Sequence, residues 1–259
     1  MIPLLILLAS GALAGLVNGW LGLGGMSVFV PFLIHLYGSA GEPDLMAKVL
    51  ANAFVVTLIN GLVAWVRYHR HDVVDYAAVR RLGIGTLIGA GFAFSAAIWL
   101  HFTAGADKLL GGYLVATGCF VALVSQKEDG ANFGYTHRQC VQLGLAGGIV
   151  SGLIGFNGNS FFAPFFRHGG LSIKHSVATA QVMGVLVSMV AVTAFALYGV
   201  QQTRSLFDGP TILSLSASSA VFNLWGTSIK HRMSGRSLTV WLVAAYLTAG
   251  LVLCLGIAH

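Results

Sequence analysis

The chain has 259 residues, 56% of them hydrophobic and only 8% charged, where an ordinary soluble domain carries about 25% charged residues. So few charges cannot cover a water-facing surface of this size, which excludes a soluble globular enzyme and implies a polytopic protein in a lipid bilayer. The formal charge of +6 does not indicate nucleic acid as a partner, because the basic residues sit in short loops between apolar runs, where they report topology.

In chain order the apolar runs are roughly 2–20, 26–37, 45–67, 81–101 and 108–125, followed by 139–156, 159–168, 174–199, 210–229 and 237–257. The first run has the apolar core of a signal peptide. It lacks a basic flank, however, and continues straight into a glycine motif, so it is expected to be structural. The third run of each set is long enough to cross a hydrocarbon core of about 30 Å. The second run is not: 10–12 residues of helix give roughly 15–18 Å. Each set therefore predicts a re-entrant, broken helical hairpin followed by three transmembrane helices. Cys119, Cys140 and Cys254 lie in or beside apolar runs without metal-ligand spacing, so neither a metal nor a cofactor is expected.

The two sets are copies. At an offset of 133, residues 11–35 match residues 144–168 at 11 of 25 positions, including Ser27, Phe29, Pro31 and His35 with Ser160, Phe162, Pro164 and His168. The expected domains are a first membrane repeat over 1–125, an inter-repeat cytoplasmic loop over 126–138 and a second, inverted repeat over 139–259. Orientation follows from Lys and Arg. With three spanning helices after each hairpin, 11 of the 14 basic residues fall on one face, which the positive-inside rule makes cytoplasmic. Both termini are then periplasmic, and the third helices of the two repeats cross in opposite directions.

Glycine clusters interrupt each hairpin at GWLGLGGMSVFVP (Gly19–Pro31) and GLIGFNGNSFFAP (Gly152–Pro164). A helix that begins inside a membrane presents unpaired N–H groups and a partial positive charge, and broken helices at the interface of inverted repeats hold substrate in many secondary transporters. Two such N-termini facing each other suit a small anion. The candidate binding residues are Gly24, Gly25, Met26 and Ser27 in the first break and Asn157, Gly158, Asn159 and Ser160 in the second. Gly15, Gly19 and Gly22, with Gly148, Gly152 and Gly155, also read as small-residue packing faces, and the two serines also suit N-caps.

The doubled glycine turn ending in Pro, followed by helices entered through KVLANA (Lys48–Ala53) and HSVATA (His175–Ala180), resembles the TauE/SafE sulfite exporter family over essentially the whole chain. The resemblance implies transport of a small sulfur-containing anion (sulfite, thiosulfate or an organosulfonate), coupled to an ion gradient. The chain departs from the family's run of consecutive glycines at Met26, Asn157 and Asn159.

The third helices add polar candidates: Lys48 and Asn52 in one, His175, Thr179 and Gln181 in the other. Lys48 is suited to neutralising an anion or to snorkelling to the interface. His175 is the side chain suited to protons as the coupling ion. Every acidic residue falls in or beside a loop. No nucleophile–base pair or metal motif suits catalysis, so an enzyme is not expected. A passive anion channel on the same scaffold, or a carrier of a different small organic anion, is the alternative.

Overall fold

The computed structural model describes residues 2–21, 25–38, 44–99, 112, 115–120, 122–123, 134–155, 158–203 and 205–254. Among these there is no strand. Among the described residues the bounded helices are α1 (Ile2–Leu21), α2 (Met26–Gly38), α3 (Leu45–Arg70), α4 (Tyr76–Trp99), α5 (His137–Ile154), α6 (Asn159–His168), α7 (Ile173–Gln201), α8 (Gly209–Arg232) and α9 (Gly235–Cys254). Their bounds follow the expected apolar runs, except that run 108–125 lies largely outside the described residues. Among the described residues, α3, Tyr76–Ile98 and α7 are long and apolar enough to cross a membrane, and the chain is a membrane-embedded helical protein.

Polar residues start the helices. Thr136 and Gln139 form a capping box at α5, and the Ser172 hydroxyl accepts from the His175 N–H at α7. Asp75 accepts from the Ala78 N–H at 2.9 Å at the start of α4. Asp208, before α8, accepts from the Thr211 hydroxyl at 2.7 Å.

Glycine decides which helices meet. Gly11, Gly15 and Gly19 of α1 lie against Leu215, Ser219 and Asn223 of α8, and a Cβ on Gly15 or Gly19 would fall onto the Ser219 or Asn223 carbonyl. Gly144, Gly148 and Gly152 of α5 lie in the same way against α4, at Leu82, Thr86 and Ala93. Residue numbers rise together along both contacts, so each pair runs parallel. Spacing of four places small residues on one helix face, and this lets two backbones touch. The packing-face reading of Gly15, Gly19, Gly148 and Gly152 therefore holds.

The packing units cut across the sequence repeats. α1, α2, α3 and α8 form one bundle; α4, α5, α6 and α7 form the other. Each unit thus holds the first three described helices of one repeat and the fourth helix of the other. The units meet chiefly where α3 crosses α7. That crossing is antiparallel: Ala64 and Tyr68 late in α3 cluster with Ala178 and Val182 early in α7, while Phe54 meets Phe195 with ring centroids 6.2 Å apart.

Overpacking a tight helix contact typically costs about 1–3 kcal/mol. Gly15→Val or Gly148→Val should lower the melting temperature of the detergent-purified protein by several degrees or prevent its monodisperse elution. Gly91→Val, where a Cβ meets no atom within 4 Å, should leave both unchanged.

Candidate anion site at the helix breaks

In the second repeat α5 ends at Ile154. Gly155 follows in the left-handed region at φ 72°, and Gly158, at φ 80°, stands as the N-cap of α6. Only glycine takes both positions without strain, and a Cβ on Gly158 would also lie 2.8 Å from Ser151 Oγ. The Gly158 carbonyl accepts from the N–H groups of Phe161 and Phe162 at 2.9 and 3.0 Å. The N–H groups of Asn159 and Ser160 precede the first intrahelical acceptor, and no side chain caps this turn. Ser160 is thus not the N-cap: it is the second residue of the helix, and its hydroxyl is left over. The far ends of the hairpin are tied by a Gly134 N–H donating to the Gly169 carbonyl at 2.9 Å.

In the first repeat the described part of the break is Gly25, whose carbonyl accepts from Val28 and Phe29 at 3.0 and 2.9 Å. Gly25 and Met26 are buried. Gly24 and Asn157 lie outside the described residues, and for Ser27 only the backbone, helical, is described.

Asn159 and Gln181 meet across α6 and α7. The Asn159 amide donates to Gln181 Oε1 at 2.6 Å in a buried contact. Gln181 faces α3 as well, since a Cβ on Gly61 would lie 3.5 Å from its Nε2. Three polar atoms of this cluster are buried without a hydrogen-bond partner among the described residues: Ser160 Oγ, Asn159 Oδ1 and Gln181 Nε2. A buried polar atom left unpaired costs about 1–3 kcal/mol. Gln181 Nε2, the Ser160 hydroxyl and the first N–H groups of α6 are donors, and Asn159 Oδ1 is an acceptor. Spare donors at a helix start are of the kind that can hold an anion.

The two breaks are chemically unequal. At the repeat offset, Asn159 corresponds to Met26. Aligning HSVATA with KVLANA makes Gln181 correspond to Phe54. Met26 and Phe54 are fully buried in the main hydrophobic core. One break therefore carries a polar pair where the other carries an apolar pair.

The remaining candidates lie apart from this cluster. Asn52 donates to the Lys48 and Leu206 carbonyls at 2.7 and 2.8 Å and accepts from the Asp208 N–H at 2.8 Å. It anchors the start of α8. Thr179 accepts from the Asp75 N–H at 3.0 Å and anchors the start of α4 in the same manner. Lys48 stands in the first turn of α3, with its ammonium 4.9 Å from the centre of the Tyr37 ring, and Tyr37 donates to Asp208 at 3.2 Å. His175 occupies the first turn of α7. Lys48 and Asn52 thus mark one end of the molecule, His175 and Thr179 the other. Sequence reasoning missed Gly61, Ser151 and the buried, unpartnered hydroxyls of Thr57 and Ser188. Gly61 and Ser188 occupy equivalent positions when α3 is aligned on α7, and extending that alignment beyond HSVATA would have exposed them.

A family profile described as "Sulfite exporter TauE/SafE" matches residues 7–253. The chain is 26% identical over 240 residues to a probable membrane transporter protein of Haemophilus influenzae, covering 89% of this chain and 90% of that one. A probable membrane transporter protein of Methanocaldococcus jannaschii is 24% identical over 184 residues, covering 69% and 66%. Another from Bacillus subtilis is 26% identical over 180 residues, covering 66% and 70%.

Exchanging the polar pair for its counterpart separates packing from ligand chemistry. Asn159→Met alone, which strands the Gln181 amide, should destabilise the protein by about 1–3 kcal/mol. Adding Gln181→Phe should restore much of the lost melting temperature. If the cluster binds anions, the wild type should melt higher with added sulfite or short sulfonates, and both variants should lose that shift.

Proposed function

We propose that this chain, which belongs to the sulfite exporter TauE/SafE family, is a secondary transporter that carries a small sulfur-containing anion across the inner membrane by alternating access. The observation that carries the reading is the buried, uncapped start of α6, where Ser160 Oγ and the Nε2 of the neighbouring Gln181 are left without a partner among the described residues. In a membrane-embedded protein such a cluster is costly unless it meets a ligand.

The pattern of contacts supports inverted repeats. Asn52 holds the start of α8, and its counterpart Thr179 holds the start of α4. The glycine ridge of α1 packs on α8, and the matching ridge of α5 packs on α4. Each contact has its partner under exchange of the repeats, and α3 and α7 run in opposite directions. In this reading α1–α2 and α5–α6 are re-entrant hairpins entering from opposite faces. The moving bodies are the two packing bundles, which slide or rock along α3 and α7, and not the sequence repeats 1–125 and 139–259. The alternating-access seam then passes beside Gly61 and Gln181.

The unequal breaks favour an anion with one apolar end. Its oxyanion group would sit at Ser160 and Gln181, and its apolar end would face the apolar break of the first repeat at Met26. An organosulfonate fits this better than sulfite or thiosulfate. A sulfonate is the anion of a strong acid and stays deprotonated near neutral pH, so a coupling proton would be carried by the protein, with His175 in the first turn of α7 as the side chain suited to it. Lys48, beside Tyr37 at the opposite end, would draw anions toward the site without holding them there.

Purified protein in liposomes should show saturable uptake of short alkanesulfonates exceeding that of sulfite, thiosulfate, sulfate and chloride, and stimulated by a pH gradient. Ser160→Ala should reduce it about tenfold, the effect of losing one hydrogen bond to a charged group. Non-saturable flux following only the anion gradient would favour a passive channel, and no flux of any anion would sink the reading. For orientation, Asp72→Cys and Met233→Cys should react with a membrane-impermeant maleimide only after the cells are permeabilised. Labelling of intact cells above the wild-type background would reverse the topology.

A further inference from the structure

The C-terminal parts of α3 and α8 run side by side, and Arg67 bridges them. Arg67 donates through Nη1 to the Leu224 carbonyl at 2.9 Å and through Nη2 to Ser228 Oγ at 2.7 Å. Two open hollows flank this contact. One, about 450 Å³, is lined by Val63, Val66, Arg67, Arg70, His71 and Leu224. The other, about 410 Å³, is lined by Trp225, Ser228, Ile229 and Arg232. No acidic residue is among the described residues lining either one.

We propose that this cleft binds an anionic phospholipid, with its phosphate held by Arg67, Arg70 and Arg232 and an acyl chain laid along Val63, Val66 and Leu224. The charge and the apolar surface occur together. Arg70 and Arg232 are exposed, while Val66 and Trp225, at 54% and 68% exposure, continue the walls as bare hydrocarbon and aromatic surface. A soluble anion would use the guanidinium groups and leave those walls wet. A phospholipid satisfies both, because its headgroup and chain are joined at the spacing of the membrane interface. The Trp65 indole donates to the Tyr76 hydroxyl at 3.0 Å at this same end of α3, and such amphipathic rings sit at headgroup level. Arg67 reaches the site already oriented by its two α8 partners, so a bound phosphate would clamp α3 to α8 within one packing bundle. The site is separate from the helix breaks and does not depend on what is transported.

The test is native mass spectrometry of the delipidated protein titrated with phosphatidylglycerol or phosphatidylcholine, with inorganic phosphate as a competitor. The wild type should bind phosphatidylglycerol about tenfold or more tightly than phosphatidylcholine, and millimolar phosphate should displace little of it. Arg70→Gln with Arg232→Gln should erase the preference while the melting temperature without lipid stays unchanged. Leu224→Trp, which fills the chain groove, should weaken binding of phosphatidylglycerol without altering the charge. Equal binding of the two lipids by the wild type overturns the proposal, whether or not the variants fold. So does a preference that survives the double substitution, or full displacement by phosphate, which would mark a soluble-anion site. A wild-type dimer that excludes lipid and dissociates on Leu224→Trp would assign the cleft to a second copy of the chain and equally overturn it.

Discussion

Direct contact between backbones along the two glycine ridges is the constraint on which the rest of this structure depends. In lipid the hydrophobic effect does not drive helices together, so association rests on close packing and on hydrogen bonds. Gly11, Gly15 and Gly19 set α1 against the backbone of α8, and Gly144, Gly148 and Gly152 set α5 against α4. These contacts draw the fourth helix of each repeat into the other's bundle. They also cover one side of α1 and of α5, the first helix of each hairpin.

Inside that cover the two breaks have diverged. Both keep a glycine whose carbonyl receives the first helical bonds, and both short helices carry a proline, Pro31 in α2 and Pro164 in α6. A proline has no N–H to give to the residue four positions earlier, so the Ser27 and Ser160 carbonyls lack that donor, and the polarity of the helix start extends one turn further. The difference lies in the side chains. Asn159 and Gln181 leave donors and acceptors over, whereas Met26 and Phe54 close the equivalent place with core packing. The contrast between one polar break and one apolar break is what the proposal of an amphipathic anion rests on.

The polar residues nearer the ends serve the frame. Asn52 spends its amide on two carbonyls and one N–H, and Thr179 receives a single N–H; these fix where α8 and α4 begin. Arg67 joins α3 to α8 at the other end of the same bundle. Each bundle is thus tied internally by hydrogen bonds and glycine contacts, while α3 and α7 meet through mostly apolar side chains. Apolar surfaces have no directional bonds to break when they slide, and the proposed transport cycle rests on that contrast.

Local chemistry was legible in the residues alone. Apolar length separated the short helices from the spanning ones, the glycines marked where helix would stop, and the offset of 133 exposed the duplication, because each of these signals lies within a few neighbouring positions. The helix bounds at Leu21, Met26, Ile154 and Asn159 follow from them. Partnership was not legible in the same way. Lys48 and Asn52 looked like site residues because they are polar within an apolar helix, yet their depth depends on which loop returns beside them, and Asp208 lies 156 positions beyond Asn52. Asn159 and Gln181 were both candidates, but their bond required α6 to fold back along α7. Composition and periodicity determine that this chain forms broken helices in a membrane. Which break stays polar, and which helices share a bundle, is decided only when backbones from distant parts of the chain touch.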